Sequence, residues 1–378
     1  MSNTTDLKQL NISSVLSTLY REKELTKTEL AKKIKLSSVT AHNLINELKL
    51  EGVVIETGDF LHGAGRKAVK YKLNDGYALS IGVHFFRYSL EIAVCDFSLN
   101  LVYEKRVGWD MKSLSVCLKT LKEELLLVLK TFSDKKFLGV GVSVPGRVDK
   151  NGVIIELPDR KEWNGINIKR EIEEYTALEV FADNDVNAEA ISVKWTEDSG
   201  ECQNFAYLCT NDGTGASVVM NGQIFHGYNH FGPEIGHITV VKGGRLCECG
   251  KKGCLQAYTS NSAILSWAKC LGNEISDIEV LTSLYDRDDE IRKILDKACE
   301  YFALAVEYLI RAFDPEKIII KSLFLSSEPL LLEIVKRNVY AGLGTRANFA
   351  SIELGNMDEK ASKCAPCCLV LNDFYASN

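Results

Sequence analysis

Apolar residues recur at helical spacing in three short stretches at the start of the chain, at 12–19, 30–34 and 41–48. Each spacing places its apolar residues on one face of a helix, so three helices are predicted. The segment 26–29 (Thr-Lys-Thr-Glu) has the pattern of a capping box and predicts the start of the second helix, while Ser37 is placed to cap the third. The predicted buried stripe of the third helix is Ala41, Leu44, Ile45 and Leu48.

The opposite side of the third helix carries short polar groups, which suit a helix that enters a DNA major groove and reaches base edges. Strands are predicted at 53–57 and 68–73, and the glycine-rich segment between them ends in Arg66 and Lys67. Three helices and a hairpin with a cationic tip indicate a winged helix-turn-helix whose wing contacts phosphates or the minor groove. A three-helix protein-binding module is the alternative. The predicted DNA-contacting residues are Ser38, Val39, Thr40, His42, Asn43, Arg66 and Lys67.

Charge distinguishes residues 1–75, which we call the head, from the rest of the chain. The head has twelve Lys and Arg against nine Asp and Glu, whereas the net charge of the whole chain is −6. A basic head on an acidic body suits a polyanionic partner at one end only. With 46% hydrophobic and 25% charged residues, disordered and fibrous classes are excluded. Because no apolar run is long enough to span a bilayer and no leader pattern opens the chain, we expect a cytoplasmic protein with no membrane partner.

Strands and helices alternate in residues 76–378, which predicts a second domain of α/β architecture. No internal repeat is evident in the sequence. The polar segment 183–187 follows a short apolar strand, so its side chains are expected at a strand's carboxyl end. The glycine turn at 211–215 fits either a phosphate-binding loop or an ordinary hairpin. The predicted elements are strands at 78–83, 89–95 and 138–144 and a helix at 113–131.

Three thiols, of Cys247, Cys249 and Cys254, lie within eight residues and are interleaved with glycines. With His237 they form a Cys₃His set, which suits tetrahedral structural Zn²⁺ because no coordination position is left for water. A coincidental cluster of thiols is the alternative. A second group of thiols is predicted to pack in the core, with a redox or metal motif as the alternative: Cys364, Cys367 and Cys368.

Together these motifs resemble the ROK family of repressors, open reading frames and sugar kinases. The resemblance rests on Asn-Asp-x-Asn at 184–187, Glu-x-Gly-His at 234–237 and Cys-x-Cys-Gly-x-x-Gly-Cys at 247–254, and it extends over essentially the whole chain. The head is similar to that of the family's repressor branch. The resemblance implies two α/β lobes of the actin-like, ribonuclease H-like sugar-kinase fold, with a monosaccharide in the cleft between them.

The resemblance also implies which residues contact sugar hydroxyls. Asp159 stands where the family usually has Asn, and Gln256 stands where Glu is common. The sugar remains open among pentoses, hexoses, N-acetylhexosamines and their 6-phosphates. Arg160 and Lys161 suit a phosphorylated ligand, but a solvated loop is the interpretation that we favour. The implied sugar-binding residues are Asp159, Asn184, Asp185, Glu234, His237 and Gln256.

A kinase of this type holds ATP with an Asp-x-Gly-Gly-Thr turn. The matching segment 82–89 lacks the carboxylate and the glycine pair and contains two phenylalanines, and residues 321–324 (Lys-Ser-Leu-Phe) replace a second glycine pair. Asp185 matches the family's catalytic base, but without ATP it would only accept a hydrogen bond.

We therefore expect a sugar-responsive repressor of carbohydrate-metabolism genes, without enzymatic activity, that binds operator DNA as a homodimer or homotetramer. Sugar binding is expected to change the spacing of the heads, with the zinc loop transmitting the change. The alternatives are an active sugar kinase with an appended DNA-binding head and a regulator that responds to a protein partner.

Overall fold

The computed structural model describes residues 4–60, 68–86, 89–108, 113–157, 160–196, 202–344, 350–355 and 359–377. The chain forms two compact units. The first comprises Met1–Gly200 and Asp358–Asn378, and the second comprises Glu201–Met357. The head is part of the first unit. Within the described ranges, no helix has both the length and the apolar character that a membrane crossing requires.

The head contains the three predicted helices, α1 (Thr4–Glu22), α2 (Lys27–Lys33) and α3 (Ser38–Leu50). Its strands β1 (Leu25–Thr26), β2 (Val54–Phe60) and β3 (Ala68–Leu73) form an antiparallel sheet in the order β1-β3-β2. The predicted hairpin is therefore present, while β1 is an additional strand that the pattern did not indicate.

Both predicted helix caps in the head are confirmed. The Thr26 hydroxyl accepts the amide of Glu29 at 3.2 Å, and the Glu29 carboxylate accepts the amide of Thr26 at 2.9 Å, which completes the capping box. The Ser37 hydroxyl accepts the amide of Thr40 at 3.1 Å. The predicted apolar stripe of α3 is buried as expected.

The rest of the first unit is built on a five-stranded sheet in the order β10-β7-β4-β5-β6. Strands β4, β7 and β10 are parallel to one another, while β5 and β6 are antiparallel to their neighbours. Helices α4 and α5 pack on the apolar residues of one face. The elements are β4 (Leu79–Phe85), β5 (Ser89–Cys95), β6 (Leu101–Gly108), α4 (Leu114–Thr131), β7 (Phe137–Val144), β8 (Arg147–Val148), β9 (Ile154–Glu156), α5 (Ile168–Thr176), β10 (Val180–Asn184) and α6 (Asp185–Thr196).

The second unit repeats this arrangement, with a five-stranded sheet in the order β13-β12-β11-β14-β15. Here too an antiparallel meander of three strands is followed by two parallel strands. The two units thus share one strand order, although the amino-acid sequence shows no internal repeat. The elements are β11 (Phe205–Thr210), β12 (Thr214–Met220), β13 (Gln223–Ile224), α7 (Gln256–Thr259), α8 (Asn261–Cys270), α9 (Ile278–Thr282), α10 (Asp289–Phe313), β14 (Lys317–Ser322), α11 (Leu323–Ser327), α12 (Pro329–Leu343) and β15 (Ser351–Leu354).

The last helix, α13 (Glu359–Ser377), returns to the first unit and lies directly on strand glycines. A Cβ added to Gly141 would overlap the carbonyl oxygen of Pro366, and one added to Gly82 would lie 2.8 Å from Sγ of Cys367. Because side chains alternate between the faces of a strand, this face is opposite the one that α4 covers. The thiols predicted to pack in the core do so, at no more than 2% exposure: Cys364, Cys367 and Cys368.

Replacing Gly141 with alanine is expected to destabilise the fold by about 2–4 kcal/mol, because the new methyl group would force the backbone of α13 away from the sheet. Gly108→Ala is the matched control, since no atom lies within 4 Å of a Cβ at that strand glycine. Urea unfolding of both variants measures the difference. Equal unfolding midpoints would contradict the close approach of α13.

Candidate functional site

Asn184 and Asp185 lie where strand β10 meets helix α6. Because β10 pairs in parallel with β7, Asn184 lies beside Val144 at the carboxyl ends of both strands, as predicted. Asn184 Nδ2 donates a hydrogen bond of 2.9 Å to the carbonyl oxygen of Gly146. Gly146 has no room for a side chain, because an added Cβ would overlap the carbonyl oxygen of Glu156. The glycine therefore allows this turn to close against the site.

Acceptor oxygens dominate this end of the sheet. The amide of Val186 donates to Asn184 Oδ1 and to Asp185 Oδ1, in both cases at 2.9 Å. Since Asp185 is the first residue of α6, the positive end of the helix dipole stabilises its carboxylate as an anion. Carboxylate and amide oxygens each have more than one lone pair, so they suit the hydroxyl donors of a ligand.

The loop that precedes Trp163 differs from the expectation. Asp159 lies outside the described residues, whereas Arg160 is only 3% exposed, so the solvated loop that we favoured for Arg160 is wrong. Lys161 is exposed, as expected. The buried ring of Trp163 meets the ring of Phe85 edge-on, with centroids 5.3 Å apart. This loop therefore packs into the first unit, and its packing takes Arg160 out of solvent.

The four predicted metal ligands converge in the second unit. The donor atoms of His237, Cys247, Cys249 and Cys254 all lie within 4.8 Å of one another. Cys247 Sγ is 3.7 Å from His237 Nδ1, and Cys249 Sγ is 3.6 Å from Cys254 Sγ. Tetrahedral zinc with Zn–S bonds of about 2.3 Å separates two sulfurs by about 3.8 Å. The donor set and its spacing therefore fit a metal ion.

Glycine conformation and burial shape this cluster. Gly253 has φ of +86°, and an added Cβ would overlap the carbonyl oxygen of Val241, so the loop folds back only with glycine here. Burial, together with the neighbouring thiols of Cys249 and Cys247, raises the pKa of Cys254 to about 12. A divalent cation among these sulfurs would reverse that shift and displace the proton.

Three further predicted sugar ligands lie around the hairpin between β11 and β12: Glu234, His237 and Gln256. Glu234 precedes, and His237 ends, a short 3₁₀ turn that packs on β12, where a Cβ on Gly236 would overlap the carbonyl oxygen of Thr214. Gln256 Oε1 accepts the amide of Thr214 at 3.3 Å. Strands β11 and β12 pair antiparallel on either side of the glycine turn, so the turn forms a hairpin, and a part for it in phosphate binding stays a prediction.

Aromatic rings pack at the turn where a kinase would hold ATP. The rings of His84 and Phe86 stack with centroids 4.2 Å apart, and Phe85 is 1% exposed. The Arg106 guanidinium lies 4.6 Å from the centroid of Phe86. Arg87, which follows, is outside the described residues. Ser322, the last residue of strand β14, also caps the helix α11 that follows directly: its hydroxyl accepts the amide of Leu325 at 3.3 Å.

The outer face of α3 is polar and accessible, as predicted. Ser38, His42 and Asn43 are exposed, and Val39 is 70% exposed. Thr40 is half-buried, and its amide and hydroxyl both bond to the cap residue Ser37. The wing residues Arg66 and Lys67 lie outside the described residues.

Lys27 is a further basic group at this face, which the sequence pattern did not single out. Its ammonium donates to Asn46 Oδ1 at 2.7 Å and lies 3.3 Å from His42 Nδ1. Asn46 Nδ2 in turn lies 2.9 Å from His42 Nε2. This network fixes the orientation of His42 on the exposed face.

An aromatic contact attaches the head to the rest of the first unit. The ring of Tyr20 in α1 meets the ring of Trp195 at the end of α6 edge-on, at 5.6 Å, and Tyr375 of α13 lies 5.0 Å from Trp195. Asn372 Oδ1 accepts from Trp195 Nε1 at 3.3 Å and from Lys194 Nζ at 3.0 Å. Burial lowers the pKa of Lys194 to about 8. We call these five residues the head contact; no local sequence pattern predicted it.

Comparisons with known proteins agree with the motifs. The model of the ROK family matches residues 77–361. A putative xylose repressor of Caldicellulosiruptor sp. (strain Rt8B.4) is 25% identical over 395 residues, covering 100% of this chain and 99% of that protein. A glucokinase of Halalkalibacterium halodurans is 31% identical over 244 residues, covering 59% of this chain and 74% of that protein.

A solved structure, that of a ROK family transcriptional regulator described as a homolog of the E. coli MLC protein, has the same fold. It superposes with a TM-score of 0.79 and 21% identity and covers 98% of both chains. Since the family model alone matches well over half of the chain, this protein belongs to the ROK family.

Proposed function

We propose that this protein is a sugar-responsive DNA-binding transcriptional regulator that represses genes of carbohydrate metabolism. The observation that carries the proposal is the similarity to a putative xylose repressor along the whole chain, head included. The similarity to a glucokinase covers only 59% of the chain. The exposed polar face of α3 in the same chain supports the choice of a regulator.

The proposed DNA-binding module is the head, as a winged helix-turn-helix. Helix α3 would enter the major groove and present Ser38, Val39, Thr40, His42 and Asn43 to base edges. Arg66 and Lys67 in the proposed wing would add contacts to phosphate. A homodimer or homotetramer would place two heads on a palindromic operator.

The proposed effector is a monosaccharide. Asp159, Asn184 and Asp185 are the proposed contacts of the first unit, and Glu234, His237 and Gln256 are those of the second. Supporting this assignment, Asn184 and Asp185 present acceptor oxygens at the end of the first sheet. Hydroxyl groups of a sugar are the matching donors.

We also propose that the chain does not phosphorylate its sugar. A phosphoryl donor needs a cradle of backbone N–H groups and a carboxylate for Mg²⁺. At the corresponding turn the described residues are His84, Phe85 and Phe86, whose rings are packed. Asp185 would then act as a hydrogen-bond acceptor and not as a base.

A structural Zn²⁺ is the proposed resident of the Cys₃His cluster. His237, Cys247, Cys249 and Cys254 would hold it, which leaves no coordination position for a substrate. The ion would supply a crosslink between the 3₁₀ turn at His237 and the loop 247–254. Because His237 Nδ1 is the nitrogen next to Cys247 Sγ, Nε2 is the nitrogen left for a sugar hydroxyl.

Helix α6, in place of the zinc loop expected from the sequence, is the proposed route from the sugar to the head. It begins at Asp185, a proposed sugar contact, and Trp195 near its other end packs on Tyr20 of α1. A shift of α6 on sugar binding would therefore move α1. The sugar can shift the DNA affinity only by its differential affinity for the two positions of the head.

The first test measures DNA binding and sugar turnover together. Fluorescence anisotropy on a DNA fragment selected from genomic fragments by the full-length protein should show that one monosaccharide weakens binding by at least about tenfold. Asp185→Asn should abolish most of this sugar effect, because the anionic acceptor is lost, whereas Asp134→Asn in an exposed loop should behave as the wild type. Sugar-dependent ATP turnover that Asp185→Asn abolishes would establish a kinase instead.

The second test concerns the metal. Elemental analysis should find about one zinc per chain in the wild type. Cys254→Ser should lose the zinc and lower the melting temperature by at least about 5 °C, since the crosslink is gone. Cys270→Ser, at an exposed cysteine, should keep both properties. A wild type purified without chelators that contains no zinc and does not take it up would refute the assignment.

The third test concerns the head contact. Trp195→Ala should retain sugar binding by calorimetry but reduce the sugar-dependent change in DNA affinity to less than about twofold. Trp195→Phe, which keeps an aromatic edge against Tyr20, should retain most of the change. Lys194→Met is a milder variant, with the exposed Lys130→Met as its control. Undiminished coupling in both Trp195→Ala and Lys194→Met would exclude this route.

A further inference from the structure

Arg160 is a buried guanidinium with an unused hydrogen-bond donor. Its Nη1 donates to Glu162 Oε1 at 2.8 Å, and its side chain is 4% exposed. Its Nη2 is buried and has no hydrogen-bond partner. Native proteins rarely leave a buried charged donor without an acceptor, because the group has lost its hydration and gained nothing in return. The structure therefore lacks an acceptor at this nitrogen.

The ion pair with Glu162 compensates only part of the positive charge of Arg160. The side chain of Glu162 is 39% exposed, so solvent screens its charge, whereas the guanidinium is shielded. A guanidinium can direct two parallel N–H donors toward one anion, but of the two terminal nitrogens of Arg160 only Nη1 has a hydrogen-bond acceptor. An additional anionic acceptor is the group that fits Nη2 best.

A short chain of contacts links Arg160 to the proposed sugar contact Asn184. The amide of Arg160 donates to the carbonyl oxygen of Leu157 at 3.1 Å. The Cα of Leu157 lies 3.1 Å from where a Cβ on Gly146 would be. The carbonyl oxygen of Gly146 in turn accepts Asn184 Nδ2 at 2.9 Å. Arg160 therefore belongs to the same end of the first unit as Asn184.

A second guanidinium lies beside this turn. Arg147 follows Gly146 directly, and its Nη1 is 3.4 Å from Glu156 Oε2, in a pair whose carboxylate side chain is 61% exposed. Both arginines thus face glutamates that solvent screens, while their own side chains are mostly covered.

We infer that the effector is an anionic monosaccharide, bearing a phosphate ester or a carboxylate, and that Arg160 binds its anionic group. This inference rests on the proposed sugar-responsive function and narrows its ligand class. Arg160 is then the residue that selects charged sugars over their neutral parents, while Asn184 and Asp185 accept their hydroxyls. The exposed Lys161 has no part in it.

Calorimetry and thermal shift on the full-length protein test this inference with matched ligand sets. Each set contains a neutral sugar, its terminal phosphate ester and its uronic acid, built on glucose and on galactose; xylose with xylose 5-phosphate and inorganic phosphate alone complete the panel. A charged member of one set should bind at least about tenfold tighter than its neutral parent, and tighter than inorganic phosphate. The charged derivative that binds more tightly, phosphate ester or uronic acid, identifies the anionic group of the effector.

Arg160→Leu should reduce the preference for the charged sugar to less than about twofold, and Arg160→Lys should keep an intermediate preference because it retains the charge without the fork. Lys161→Ala is the control and should match the wild type. A neutral sugar that binds as tightly as its charged partners in the wild type would overturn the inference whatever the variants do, and would leave the proposed function intact. If no member of the panel binds or changes DNA affinity, the sugar-responsive function fails together with the inference.

Discussion

The close approach of α13 to the glycine face of the first sheet is the contact on which most of this molecule depends. Because Gly82 and Gly141 carry no side chains, the backbone of the helix lies directly on β4 and β7. Its other side then holds α6, through the Ser192 hydroxyl bonded to the carbonyl oxygen of Ala361 at 3.0 Å and through Asn372. The position of α6 sets the position of both Asp185 and Trp195. One packing contact thus determines the geometry of the ligand end and of the head contact.

Local patterns predicted what depends on neighbouring residues. The capping box at Thr26, the cap at Ser37 and the buried stripe of α3 all follow from interactions within a few positions, and all are confirmed. The Cys₃His cluster was also predictable, because three of its ligands lie within one loop and the fourth closely precedes it. Caps and metal sites whose residues lie close together in the sequence can be predicted without a structure.

Contacts between distant segments could not be predicted in this way. Tyr20 and Trp195 are 175 positions apart, and no periodicity links them. The repeated strand order of the two units is a property of pairing and not of residue type, so the sequence showed no repeat. Arg160 was misjudged for a related reason: a charged residue in a loop is usually solvated, and only the packing of Trp163 against Phe85 removes it from solvent.

The return of α13 to the first unit has a consequence for how the chain is made. The second unit is continuous in sequence, so it can fold as soon as it leaves the ribosome, whereas the first sheet keeps a bare glycine face until residues 359–377 emerge. The helix that holds Tyr20 and Trp195 together is therefore synthesised only after the whole second unit. In a nascent chain the head can therefore fold before α13 fixes its orientation. A truncation that removes α13 would leave the head covalently attached but without a fixed orientation.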